Sequence, residues 1–251
     1  MEKASLIGIA LGVSALVGGT LLEGGDVAFI LQPAAAVIVF GGTLGATLLS
    51  FRFRDVVLAI GSLREVFLKN EDPLYDTCID QVVSLAHLSR KKGLVAIESR
   101  LVDIEDPFLR KSLSLAIDGV SPRLLRETLE EEIATFEDTR LRQSRVFETA
   151  GGFAPTIGII GAVIGLIHVM QNLSEPSSLG QGIAVAFVAT VYGVGAANLL
   201  LLPISKKLKN NLVRELKFRS MVVEAVIGIQ SGVNPHYLKE KLFAFVEREE
   251  E

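Results

Sequence analysis

The residues able to do chemistry in this chain are few, and where they lie matters more than how many there are. Its long apolar stretches contain no Asp, Glu, Lys or Arg. A proton channel or pump normally needs a titratable group within the membrane, and His168, toward the outer end of the third stretch, is the only candidate. An imidazole changes charge near neutral pH and can relay protons; an interfacial or hydrogen-bonded histidine is the simpler reading. Thr190 in the fourth stretch carries a hydroxyl. It can line an ion path, but on an apolar helix such a group most often bonds back to the carbonyl four residues earlier.

Small residues are the other feature of these stretches. Gly158, Gly161, Ala162 and Gly165 recur at spacings of three, four and seven, and Ala189, Gly193 and Ala196 form a similar row. Such rows give helices smooth faces for close approach in lipid. Two prolines stand at the inner ends, Pro155 near the start of the third stretch and Pro203 at the end of the fourth. Either Pro155 sits in a first helical turn and Pro203 stops a helix, or both kink helices that continue out of the membrane. Sequence alone does not divide these readings.

The elements that position these residues follow from the distribution of apolar residues. The chain has 251 residues, 49% of them hydrophobic, an ordinary share gathered into four uncharged blocks. These run from about Ala4 to Leu22, Val27 to Phe51, Gly151 to Leu173 and Gly180 to Leu202. A bilayer core takes roughly 20 apolar residues, and continuous runs in lipid must be helices. Glu2 spoils the basic start that a signal peptide needs and no cleavage site follows, so the first block reads as an uncleaved helix. The turns after the first and third blocks hold Glu23, Asp26 and Glu175 and no Lys or Arg. The opposite ends carry Arg52, Arg54, Lys206, Lys207 and Lys209. The positive-inside rule therefore places both termini and the middle region in the cytoplasm. Trp is absent, so an aromatic belt is weak.

The middle region, about Arg52 to Thr149, is soluble in character. Ile79, Val82, Val83 and Ala86 recur at helical spacing, as do Leu124, Leu125, Leu129, Ile133 and Phe136. Gly93 after Arg90-Lys91-Lys92 is a helix stop with basic residues at the negative end of the helix dipole. Pro73, Pro107 and Pro122 mark further breaks. Pro122 to Glu148 reads as a long helix running toward the third span. The tail after Pro203 reads as another, broken near Gly232 and Pro235. The single cysteine, Cys78, cannot form an internal disulfide and reads as a small buried hydrophobe.

Several function classes are disfavoured. The net charge of −4 gives no basic patch for nucleic acid. There is no nucleophile elbow, phosphate loop or metal-ligand cluster, and glycine-rich runs inside apolar spans cannot cradle phosphate, so no enzyme and no cofactor is expected.

The segment Pro155-Thr-Ile-Gly-Ile-Ile-Gly-Ala-Val-Ile-Gly-Leu166 resembles the third-span motif of the MotA family of flagellar stator proteins. Pro203 after Ala196-Ala-Asn-Leu-Leu-Leu-Leu202 resembles the proline closing that family's fourth span. Ser89-Arg-Lys-Lys-Gly93 with Ile97-Glu98 resembles its charged rotor motif, and Glu130-Glu-Glu-Ile133 resembles the acidic start of the helix leading to span three. The interval from Glu98 to Pro107 is slightly longer than the family's. The resemblance covers nearly the whole chain.

It implies an all-α integral membrane protein of the bacterial inner membrane that forms an oligomeric ring, understood as a pentamer. The expected divisions are residues 1–51 for spans one and two, 52–150 for a helical cytoplasmic domain, 151–203 for spans three and four, and 204–251 for a helical tail. The ring would surround the helices of a MotB-type partner that supplies the membrane aspartate and the peptidoglycan anchor. Ion flow would turn the ring against the rotor protein FliG. Arg90 and Glu98 match the FliG-facing charges, which otherwise read as solvated helix-end charges. Pro155, Ala162, Thr190 and Pro203 fall on the ion path and coupling positions. Ala162 matches a position that looks like threonine in sodium-driven members, so the implied ion is the proton. The alternatives are a TolQ/ExbB-type energising subunit, against which the two N-terminal apolar blocks argue, and a membrane scaffold without ion flux.

Overall fold

In the computed structural model, residues 3–67, 75–171 and 176–246 are described. They are mostly helical, with no strand among them. Helix α1 spans Lys3–Leu22. A short 3-10 turn, Val27–Ile30, leads to α2 (Pro33–Ala36), a π-turn (Val37–Gly41) and α3 (Gly42–Ser50). Next come α4 (Phe53–Phe67), α5 (Tyr75–Lys92), a 3-10 segment (Leu94–Asp103), α6 (Pro107–Ile117) and the 50-residue α7 (Pro122–Gln171). Helix α8 (Pro176–Gly195) runs through a second π-turn (Ala196–Leu201) into α9 (Leu202–Gln230), and α10 (Pro235–Phe243) follows. Among the described residues, four helical stretches are long and apolar enough to cross a bilayer: Ala4–Leu22, Val27–Ser50, and parts of Pro122–Gln171 and Gly182–Gln230. Pro73, Leu173 and Glu175, used above as a break, a block end and a turn residue, lie outside the described residues.

Local chemistry sets many of the helix ends. Asp106 caps α6 by accepting the Leu109 amide at 2.6 Å, ahead of Pro107 at the first helical position. Asn234 and Pro235 open α10 in the same manner. Gly93 ends α5 at a φ of 86°, a left-handed conformation that a side chain would strain, and Gly232 does so after α9 at 67°.

The chain divides into two compact units. The first comprises residues 1–70 and 140–209. Along its second span Ala35, Val39, Thr43 and Thr47 are buried at four-residue intervals, so one stripe faces inward. Ala35 and Val39 pack with Val188 and Ala189 of α8. The Tyr192 hydroxyl donates to the Ile30 carbonyl at 2.6 Å, which ties α8 to the entry of the second span. A second cluster joins Val56, Ala59 and Val66 of α4 to Val146, Phe147 and Leu208. Ser5 donates to the Val66 carbonyl at 3.1 Å and accepts from Lys207 at 2.7 Å, fixing the start of α1.

The second unit comprises residues 71–139 and 210–251. Ile79, Val82 and Ala86 of α5, Ile97 of the 3-10 segment, Leu109 and Leu113 of α6, Leu125 and Leu129 of α7, Met221 and Val222 of α9 and Leu238 and Leu242 of α10 form its core. A fully buried side chain of this kind contributes about 1.5–3 kcal/mol, against about 0–1 kcal/mol for an exposed ion pair. The core therefore holds this unit together, and the rim charges adjust it. Leu124 departs from expectation: it is 54% exposed, and the inward face of α7 runs through Leu125 and Leu129. At the rim, the Arg219 guanidinium stacks on Phe136 at 3.8 Å and on Phe108 at 4.9 Å, which covers the edge of the core with a charged plane.

Candidate ion path and coupling site

The glycine rows of spans three and four meet each other. A Cβ at Gly165 would lie 2.8 Å from the Ala186 amide nitrogen, and one at Gly158 would lie 2.8 Å from the Ala189 oxygen and 3.2 Å from Gly193 Cα. A Cβ at Gly193 would lie 2.5 Å from the Ala154 oxygen. Real Cβ atoms do not approach backbone this closely, so only glycine fits at these positions. Gly161 meets both Ala189 and Ile38, placing the second span against the same seam. The contacts descend in antiparallel register from Gly165–Ala186 through Gly158–Gly193 to Gly151–Leu202 and then Ser144–Ser205.

Both prolines lie inside continuous helical stretches. Pro155 is in the interior of α7, so it does not occupy a first helical turn. Pro203 does not stop a helix either; the chain passes through it from Leu202 into the rest of α9. Proline lacks the N–H donor, and its ring crowds the carbonyl four residues back. The π-turn Ala196–Leu201 immediately before Pro203 meets this demand, with the Leu202 amide bonding to the Ala197 oxygen five residues earlier. The small-residue row continues from Ala189 and Gly193 to Ala197, four residues further on and fully buried, while Ala196 is only half-buried. Beside Pro155, the Thr156 hydroxyl bonds to the Phe153 carbonyl at 2.8 Å.

Ala162 and Thr190 are each half-buried next to this seam. Thr190 Cα lies 3.5 Å from the position of a Cβ on Gly158. The Thr190 hydroxyl donates to the Ala186 carbonyl at 3.4 Å, a long back-bond. His168 is exposed at the other end of the span. Sequence reasoning did not single out Thr43 and Thr47, both buried in the second span. Thr47 donates to the Thr43 carbonyl at 2.7 Å, and the Thr43 hydroxyl has no partner among the described residues. Their four-residue spacing was the signal that could have shown them.

In the second unit, Arg90 ends α5 and Glu98 lies on the 3-10 segment that packs against it; both are exposed. Neither forms an ion pair with a described residue. A 3-10 run of ten residues is unusually long. Cys78 is buried, and burial, helped by Asp106, pushes its thiol up to about 12, so it stays a packed, unreactive side chain. Glu224 sits between α7 and α10, 2.5 Å from both Arg126 and Lys241. The hydrogen bond from Arg126 leads the causes that hold its carboxyl below the usual range.

Bilayer-length spans with a glycine-only seam define a multi-pass α-helical membrane protein. The Motility protein A N-terminal model matches residues 6–93, and the MotA/TolQ/ExbB proton channel family model matches residues 101–221. The chain is 34% identical to Motility protein A of Bacillus subtilis over 246 residues, covering 98% of this chain and 91% of that one. Two solved structures share its architecture. The C. jejuni MotAB structure gives a TM-score of 0.91 at 32% identity over 98% of this chain and 96% of that one. The MotAB flagellar stator complex of Bacillus subtilis gives 0.90 at 34% identity over 97% and 96%. The chain belongs to the MotA/TolQ/ExbB proton channel family.

Proposed function

We propose that this chain is the channel-forming stator subunit of a bacterial flagellar motor, coupling ion flow to torque. The observation that carries this reading is the seam of spans three and four. It is a glycine-only contact with a proline on each helical stretch, in a chain that matches MotAB stator chains over nearly its whole length. A TolQ/ExbB-type energiser has less support, because the N-terminal match is to the motility branch of the family.

In this reading several copies, five in the expected arrangement, surround the helices of a MotB-type partner in the inner membrane, with both termini cytoplasmic. Residues 1–51 and 151–203 form the membrane part, 52–150 the cytoplasmic domain and 204–251 the tail. The partner supplies the carboxylate, because the spans have no acid. Thr190 lines the route to that carboxylate. Ala162 offers a methyl group where sodium would need an oxygen to replace its hydration shell, which favours the proton. Pro155 and Pro203 let the helices bend as the carboxylate gains and loses its proton. Arg90 and Glu98 push on FliG. No resident cofactor takes part; the ion is the cargo. The deciding experiment expresses the chain with a MotB-type partner in a stator-deleted bacterium. Restored swimming supports the reading. An assembled, membrane-inserted complex that leaves cells non-motile with every such partner overturns it.

A further inference from the structure

We infer that Ser144 and Ser205 form a register lock between α7 and α9, and that this lock positions the two proline-bearing helices for torque transmission. The inference rests on the stator reading above. Both serines are almost fully buried, at 1% and 2% exposure. Val146, Phe147 and Leu208, two or three residues away in sequence, belong to one hydrophobic cluster.

The two hydroxyls satisfy each other. The Ser144 oxygen lies 3.2 Å from the Ser205 carbonyl oxygen and 3.0 Å from the Ser205 hydroxyl oxygen. Each hydroxyl has one proton. If Ser144 donates to the carbonyl, Ser205 donates to Ser144, and both protons are used without an outside group. A slip of the helices by one residue would bury two unpaired hydroxyls among apolar side chains, which is costly. The glycine contacts act in the same direction, because a slip would bring side chains against backbone where only glycine fits.

The position of the pair gives it a role. It lies next to Pro203, which is two residues before Ser205, and beyond the π-turn that makes that end of the fourth span compliant. Pro155 is on the membrane side of Ser144. Both backbone irregularities therefore fall on one side of the lock. Movement at the prolines pivots about a fixed point and is not lost as sliding between α7 and α9.

The test uses the full chain with a working partner and compares S144A, S205A and the double variant S144A/S205A. S144A orphans the buried Ser205 hydroxyl and lowers the melting temperature of the solubilised complex, whereas in S205A the Ser144 hydroxyl keeps its bond to the backbone carbonyl of residue 205 and the loss is smaller. The double variant removes the orphaned hydroxyl and recovers stability relative to S144A. A merely structural pair would recover function as well. A register lock would not: in bead assays, the torque added by each newly engaged stator unit falls at least twofold in the double variant, while the number of engaged units stays native. Native torque steps in a stable double variant overturn the inference. A native chain that drives no rotation withdraws the stator reading itself, and the inference with it.

Discussion

The Ala154 carbonyl oxygen lies 2.5 Å from the point that a Cβ on Gly193 would occupy. Spans three and four thus touch through backbone. Replacing Gly193 with Ala improves intrinsic helix propensity by about 1 kcal/mol, while overpacking a tight contact costs about 1–3 kcal/mol. Because the obstacle is backbone, the larger figure applies. Gly193→Ala should lower the melting temperature of the detergent-solubilised protein and reduce the fraction recovered as one closed oligomer in native mass spectrometry, and Gly193→Val should do more. A Gly193→Val protein that melts with the native one would show that the seam can open freely.

Glu224 predicts an acid sensitivity of the second unit. Its carboxyl is held below the ordinary 4.5, first by the Arg126 hydrogen bond and then, against the cost of burial, by Lys241. A carboxylate with a depressed folded value stabilises above its unfolded value, and that stability is lost as pH falls through the folded one. The native protein should therefore lose more stability than Glu224→Gln as pH drops below about 4.5. Thermal melts of both proteins between neutral and acidic pH measure the difference, and parallel curves would remove Glu224 as a contributor.

Charge reversal at Arg90 or Glu98 should lower torque and leave assembly intact, because both side chains are exposed and outside the core. A compensating reversal on FliG should restore part of the motility, as coupled pairs do in a double-mutant cycle. Absence of rescue by every FliG reversal would count against direct contact.

Pro203→Ala restores a backbone donor and lets the π-turn relax into an ordinary helix. Oligomers should still form while rotation slows several-fold, and Pro155→Ala should act in the same direction. Tethered-cell rotation is the measurement. Native speed in both variants would remove the hinge.

Swimming driven by this chain should persist when sodium is replaced by potassium at fixed pH. Ala162 lacks an oxygen, and the single Thr190 hydroxyl is too few side-chain ligands to replace the hydration shell of sodium. Motility that disappears without sodium would assign the ion to sodium instead.

The amino-acid sequence by itself determined the four bilayer-length helices, because twenty apolar residues in a row have few other stable placements. It also determined local stops such as Gly93, where a positive φ selects the residue, and it marked the small-residue rows that make a close seam possible. It did not resolve what Pro155 and Pro203 do, because a proline can cap, stop or kink a helix according to what the surrounding turns can absorb. Only the tertiary structure showed the π-turn that carries the chain through Pro203, and that Ala197, not Ala196, is the buried residue of the row. The choice of Leu125 over Leu124 as the inward residue depended on neighbouring helices in the same way. The Ser144–Ser205 pair lay beyond sequence reasoning altogether. Its members are 61 residues apart, and an isolated serine in a helix gives no sign of its partner until packing excludes water around both.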